Sequence, residues 1–160
     1  MTNPELDLSL ERDIDVPAEK AFRCWTEPAL LVQWFTPAPW KTVHAEVALH
    51  PGGCFATVME SPEGVRQPEG RGCVLEVVPG RRFTWTSALG PGFRPNPPQP
   101  EGGFTMSATL EFEPTARGCR YRATVRHADA AARATHDGMG FHVGWGKALD
   151  QLVALCHRLP

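Results

Sequence analysis

Three side chains of this sequence combine a titratable or hydroxyl group with a place on an apolar face: Tyr121, His127 and His142. Tyr121 and His127 fall on the inward register of the alternating stretch Cys119–His127. His142 projects with Phe141 and Trp145 from a helical stretch near the C-terminus. A phenol and a neutral imidazole can orient a carbonyl or a hydroxyl, and an imidazole can move a proton. His142 with Tyr121 is therefore the candidate pair for a small cyclase or hydrolase. Against it, a single histidine on an apolar face is most often a hydrogen-bonded core residue. Neither G-x-S-x-G nor H-E-x-x-H occurs, and the carboxylates fall on turns, edges or outward strand positions. The five cysteines (Cys24, Cys54, Cys73, Cys119, Cys156) stand far apart with no C-x-x-C pair. They read as buried free thiols, and neither a metal site nor a cofactor is expected.

The aromatic content points elsewhere. Five Trp and eight Phe stand against a single Tyr, so the interior is built mainly from rings that carry no hydroxyl. Trp34, Phe35, Trp40, Phe55, Trp85, Phe104, Phe141 and Trp145 are the candidate lining of a hydrophobic site, with Met59, Met106 and Met139 as adaptable neighbours. Tyr121 and His142 complete the expected ligand-binding set.

These residues need elements to hold them. Leu6–Ile14 alternates as a half-buried strand, and Asp15 and Pro17 are suited to cap and open a helix over Ala18–Thr26. Pro28 restarts a second short helix through Phe35, which Pro37 and Pro39 end. Thr42–Leu49, Cys54–Met59, Gly72–Val78, Arg82–Ser87, Phe104–Glu113 and Cys119–His127 then read as six strands joined by Gly/Pro turns. In Thr42–Leu49, Val43, Ala45, Val47 and Leu49 are expected inward, and Thr42, His44 and Glu46 outward. Ser61–Gly70 is a polar hairpin tip. Ala88–Gly103 is rich in Pro and Gly and reads as a lid, a rim or a disordered connector. A helix from about Thr135 to Leu159 closes the chain, its apolar face on the sheet. Its front end carries Gly138, Gly140, Gly144 and Gly146, each costing about 1 kcal/mol relative to Ala. They either leave a cavity there or let the helix pack closely on the strands. They do not fit a dinucleotide fingerprint, since no parallel βαβ unit surrounds them.

Length and charge set the outer bounds. At 160 residues the chain is one expected domain (1–160), with roughly 69% of its unfolded surface buried on folding. A hydrophobic fraction of 42% with 21% charged residues excludes a disordered chain. The net charge of −2 excludes a global basic field, so no nucleic-acid partner is expected. Outward Arg120, Arg122 and Arg126 are expected to pair across the hairpin with Glu111 and Glu113. With no basic-then-apolar leader and no membrane-length apolar run, a cytoplasmic protein without a membrane span is expected. A sheet edge or an exposed rim could pair two copies as a homodimer.

Several segments resemble START-like (SRPBCC) domains, in particular the activator of heat shock protein 90 ATPase homologue group. They are Glu11-Arg-x-Ile-Asp-x-Pro-Ala-Glu-Lys-x-Phe22, Trp25-Thr-Glu-Pro-x-Leu-Leu-x-x-Trp34-Phe35-Thr-Pro37, His50-Pro-Gly-Gly53, Leu75-Glu-Val-Val-Pro-Gly-Arg-Arg-Phe-Thr-Trp85-Thr and Gly140-Phe-His-x-Gly-Trp145-x-x-x-Leu-Asp-Gln-Leu152. The resemblance implies an α+β helix-grip fold: a curved antiparallel sheet wrapped round a long C-terminal helix, two short helices after the first strand, and a hydrophobic cavity between sheet and helix. The function it implies is non-enzymatic binding of a small apolar or aromatic molecule in that cavity. The alternative is a chaperone-directed module stimulating a heat shock protein 90 type ATPase in stress response. In the eukaryotic co-chaperones of the group a separate N-terminal domain contacts the chaperone, and 160 residues have no room for one.

Overall fold

Period-two alternation along the strands builds a single curled antiparallel sheet in the computed structural model, which describes residues 2–160. The elements run β1 (Asp7–Ile14), α1 (Ala18–Thr26), α2 (Pro28–Leu31), β2 (Lys41–Val47), β3 (Cys54–Glu60), β4 (Gly70–Val78) and β5 (Arg82–Thr86). Then come a two-residue pair β6 (Leu89–Gly90) and β7 (Arg94–Pro95), β8 (Met106–Thr115), β9 (Gly118–His127), α3 (Ala130–Gly138) and α4 (Phe141–Arg158). The main sheet has the order β1-β9-β8-β5-β4-β3-β2, and α1 and α4 pack against its concave face. This is the expected helix-grip arrangement.

The β8–β9 hairpin shows how the pattern becomes a core. Ala108, Leu110 and Phe112 face Val125, Ala123 and Tyr121 across the ladder, and all six are buried. Of the alternate positions Arg120 and Arg122 are exposed, whereas Thr124 is buried. There Arg122 binds Glu11 at 2.6 Å and Arg120 binds Asp13 at 3.0 Å, while Glu111 lies 4.0 Å from Arg122. The expected arginine partners were Glu111 and Glu113. The nearer ones come from β1, because β9 is sandwiched between β1 and β8. All five cysteines are buried free thiols, as their scatter implied.

Four local expectations change. Asp15 does not cap α1; Pro17 holds the N-cap position in extended geometry, and Asp15 instead meets His157 at 2.9 Å. A register shift between Thr42 and His44 turns Thr42 inward, where its hydroxyl bonds that of Thr36. Leu49 lies beyond the strand and is exposed. The Pro/Gly-rich segment docks onto the sheet: Asn96 Nδ2 donates to the Arg71 and Ser87 carbonyls, both at 2.9 Å, and Phe93 packs over Gly52, where a Cβ would come within 2.8 Å of its ring.

The largest difference lies in the terminal helix. The chain makes two helices, because Gly140 adopts φ +86°, a left-handed conformation that ends α3 and starts α4. Asp129 caps α3 by accepting the Ala132 amide at 2.8 Å. The glycines therefore do different jobs. Gly140 makes the break, and a Cβ at Gly144 would meet nothing within 4 Å. At 100° per residue Gly144 lies on the flank of α4 that also carries Gln151, whose side chain binds the carbonyls of Trp34 and Thr36. Open space beside α4 is thus real at Gly144. Gly138 also has nothing within 4 Å, but it faces solvent.

Opposite outcomes follow for two alanine substitutions. Gly140→Ala forces a left-handed non-glycine residue and lowers unfolding stability by about 1–2 kcal/mol. Gly144→Ala gains helix propensity without a clash and raises stability by about 1 kcal/mol. Urea midpoints of the two variants check both signs.

Candidate ligand-binding aperture

The interior is organised around a side chain outside the expected ligand-binding set. Trp25 projects from α1 into the space between sheet and α4 and is 1% exposed. Its ring centroid lies 4.9 Å from Trp34, 5.5 Å from Phe35, 6.3 Å from Phe55 and 6.4 Å from both Phe83 and Trp145. Its indole Nε1 donates to the Tyr121 hydroxyl at 3.1 Å. The centre of the expected hollow is therefore filled by an indole. The clue available in the sequence was spacing: Ala21, Phe22 and Trp25 place the indole on the buried stripe of α1.

The candidate aperture is the half-buried rim of this interior, formed by Phe35, Phe104, Met106 and Trp145; ring contacts run from Phe104 to His136 (4.8 Å), His136 to Trp145 (6.4 Å) and Trp145 to Trp25. Trp85 stacks on Phe55 with centroids 4.4 Å apart and is 7% exposed. Its Nε1–H is buried and has no acceptor. Such a donor costs about 1–3 kcal/mol of unmet hydrogen bonding.

A second polar feature is a pair of hydrogen-bonded imidazoles set edge to face, with an interplanar angle of 75°. His127 Nδ1 lies 2.8 Å from the Leu6 carbonyl, and His127 Nε2 lies 2.9 Å from His136 Nδ1. A carbonyl only accepts, so His127 Nδ1 carries its proton. In a neutral pair His127 Nε2 must then accept from His136 Nδ1–H. That leaves His136 Nε2 as a bare lone pair, without a protein partner among the described residues. Burial first, and the neighbouring His127 second, lower the His136 pKa to about 4, against a small opposing pull from Asp137. His136 is thus neutral at physiological pH: a weak base, and a good hydrogen-bond acceptor.

The expected site residues divide. Phe35, Trp85, Phe104, Met106 and Trp145 come together at the aperture, with Phe55 and Phe141 buried behind them. Trp34 is core, its Nε1 donating to the Cys24 carbonyl at 2.9 Å. Trp40, Met59 and Met139 are exposed. Tyr121 is inward as expected, but its hydroxyl is taken by Trp25, and burial pushes its pKa up. His142 is exposed, because it lies about 100° round α4 from Phe141, at the edge of the buried stripe and in the helix's first turn. It lines a polar cleft of about 270 Å³ with Thr2, Asn3 and Arg133, at the Asp7–Ser9 end of β1. Tyr121 pairs with Arg12 near the other end of that strand, so the two do not converge. His136 was missed because it fell at the start of an unbroken helix in the expected layout. Reading Gly138–Gly140 as a break would have set it on its own short helix.

Among the described residues no helix is long and apolar enough to cross a membrane. The sequence profile of the family described as Activator of Hsp90 ATPase homolog 1-like protein matches residues 15–157. A search of curated proteins gives no match. A solved structure of a Nitrosomonas europaea protein superposes with a TM-score of 0.92 at 43% identity, covering 98% of this chain and 97% of that one. A Rhodobacter sphaeroides protein gives 0.82 at 21% identity over 99% and 97%. An AHSA1-like protein from Aeromonas hydrophila gives 0.67 at 18% over 96% and 93%. The last two share the fold.

The buried neutral imidazole makes stability depend on pH. The folded pKa of His136 lies below the unfolded value of about 6.5, so its contribution is complete above that value and is lost as pH falls towards about 4. The loss reaches about 3 kcal/mol at its limit. His136→Phe shrinks the difference between urea midpoints at pH 7 and pH 4.5. An unchanged difference refutes the neutral, buried state of His136.

Proposed function

We propose that this chain, which belongs to the Activator of Hsp90 ATPase homolog 1-like family, takes up a small hydrophobic or aromatic molecule at the aperture between sheet and α4 and does not convert it. The observation that carries this reading is the Trp85 indole N–H, buried, stacked on Phe55 and without an acceptor. An oxygen on a bound molecule, entering as Met106 and Phe35 shift, satisfies that donor inside a ring-lined space. Half-buried Phe35, Phe104 and Trp145 supply flat apolar surface, and Met106 adjusts to more than one shape. The open flank at Gly144 gives room for entry.

Conversion is disfavoured by the groups at hand. His136 is too weak a base near neutral pH, because its pKa is about 4. Tyr121 is engaged by Trp25, and the carboxylates Glu11, Asp13, Glu76 and Glu111 are paired with arginines on the convex face. The five buried free thiols fit a reducing, cytoplasmic setting.

The family description favours a second reading, stimulation of an Hsp90-type ATPase as part of a stress response. ATP turnover by the chaperone from the same organism, measured with and without excess of this protein, tests it. A rate unchanged by the addition removes that reading.

The binding reading is tested by titrating 2-acetylnaphthalene into 15N-labelled protein. The Trp85 indole resonance, assigned by its loss in Trp85→Phe, is expected to move saturably. Losing one neutral hydrogen bond, Trp85→Phe should weaken binding by about 5–10-fold while the protein stays folded. If no indole resonance moves for this or any other naphthalene, the binding reading fails.

A further inference from the structure

The main sheet has two edge strands, and they differ in chemistry. β1 carries Glu11, Arg12 and Asp13 in succession, a charged edge of the kind that discourages strand pairing. β2, at the other end, holds one Lys, one His and one Glu among Thr, Val and Ala. It is bordered on both sides by exposed apolar side chains, Trp40 at 39% and Leu49 at 44%. Its inner side is paired with β3. The Ala48 amide donates to the Cys54 carbonyl at 2.9 Å, so the alternation of an antiparallel ladder makes Glu46 with Ala56, and His44 with Val58, the hydrogen-bonded pairs. The amide and carbonyl of Ala45 and of Val47 therefore point away from β3, and they meet no partner among the described residues. Val43, Ala45 and Val47 are half-buried, whereas His44 and Glu46 are exposed.

We infer that β2 pairs with β2 of a second copy of this chain, antiparallel about a two-fold axis at Ala45, so that the two sheets become one. In this register each Ala45 amide donates to the Ala45 carbonyl of the other copy, and Val47 comes opposite Val43. His44 comes opposite Glu46 twice, at the non-hydrogen-bonded positions where side chains stand closest. Glu46 can accept there. Its Oε2 faces Arg71 at 3.4 Å and the Cys54 thiol at 3.5 Å, which leaves Oε1 for the imidazole N–H. The neighbouring registers are not self-complementary: centring on His44 sets imidazole against imidazole, and centring on Glu46 sets carboxylate against carboxylate. The Ala45 register also carries Trp40 of each copy to the Leu49 end of the other. It thereby covers two large apolar side chains per chain that a single copy leaves in water.

The experiment is sedimentation equilibrium of the full chain, unmodified and in three variants. The unmodified protein is expected to form a species of twice the chain mass. His44→Glu sets like charges opposite each other twice and should weaken the dimer by about tenfold or more. His44→Glu combined with Glu46→His exchanges the two partners and should restore it, which a role of either residue within its own chain would not do. Ala45→Pro removes the outward amide while sparing the bonds to β3, and should leave a monomer whose near-ultraviolet circular dichroism is that of the folded protein. A monomer at millimolar concentration overturns the inference. So does a dimer that His44→Glu leaves as tight as before, a result that holds whether or not the proline variant folds. Trp85 and the aperture take no part in this contact, so the inference and the binding reading stand or fall separately.

Discussion

The Trp25–Tyr121 hydrogen bond, inside the concavity of the sheet, is the contact on which the rest of the architecture depends. An indole is the largest side chain available, and burying one whole requires both a ring-shaped space and an acceptor for its N–H. Here the space is bounded by Phe55 and Phe83 from the sheet, Trp34 and Phe35 from the segment after α1, and Trp145 from α4. The acceptor is a phenol from the middle of β9. One side chain thus ties four parts of the chain to a common point. A cavity there would cost on the order of 3–5 kcal/mol.

Filling the centre has a consequence for the periphery. Around the filled centre the rings of Phe35, Phe104 and Trp145, with Met106, stay half-buried. Polar atoms are satisfied with few exceptions in the core below them. Trp34 Nε1 finds a carbonyl and Trp25 Nε1 finds a hydroxyl. The exceptions among the described residues are two buried donors without an acceptor, Trp85 Nε1 and Arg133 Nε. Apolar walls with a small number of unpaired polar groups are the usual composition of a small-molecule site, and quite different from that of a sealed core.

The imidazole pair shows how a buried base is kept neutral. A backbone carbonyl at one end of the chain of hydrogen bonds dictates the proton position on both rings. Desolvation then keeps the pair neutral. Most charged residues of the sheet lie on its convex side, paired strand to strand through Glu11, Asp13 and the β9 arginines, while Arg12 on the inward register of β1 pairs with Asp150 of α4.

Much of this was legible in the linear chain. The alternation of β8 and β9, the Pro17 and Pro28 helix starts, the polar hairpin tip and the inward-facing Tyr121 all follow from periods of 2 and 3.6 residues and from turn chemistry, which are local properties. Family motifs spread along the chain gave the order of the pieces. Two things were decided only by folding. The first is backbone conformation at a single residue: Gly140 can adopt helical or left-handed geometry at similar cost, and the fold takes the second, which gives His136 its own helix. The second is which of many apolar rings occupies the centre. Periodicity assigns Trp25 to a buried stripe, but how far a stripe reaches into the concavity depends on sheet curvature and helix docking, and these are set by contacts between residues nearly one hundred positions apart in sequence, such as Trp25 and Tyr121.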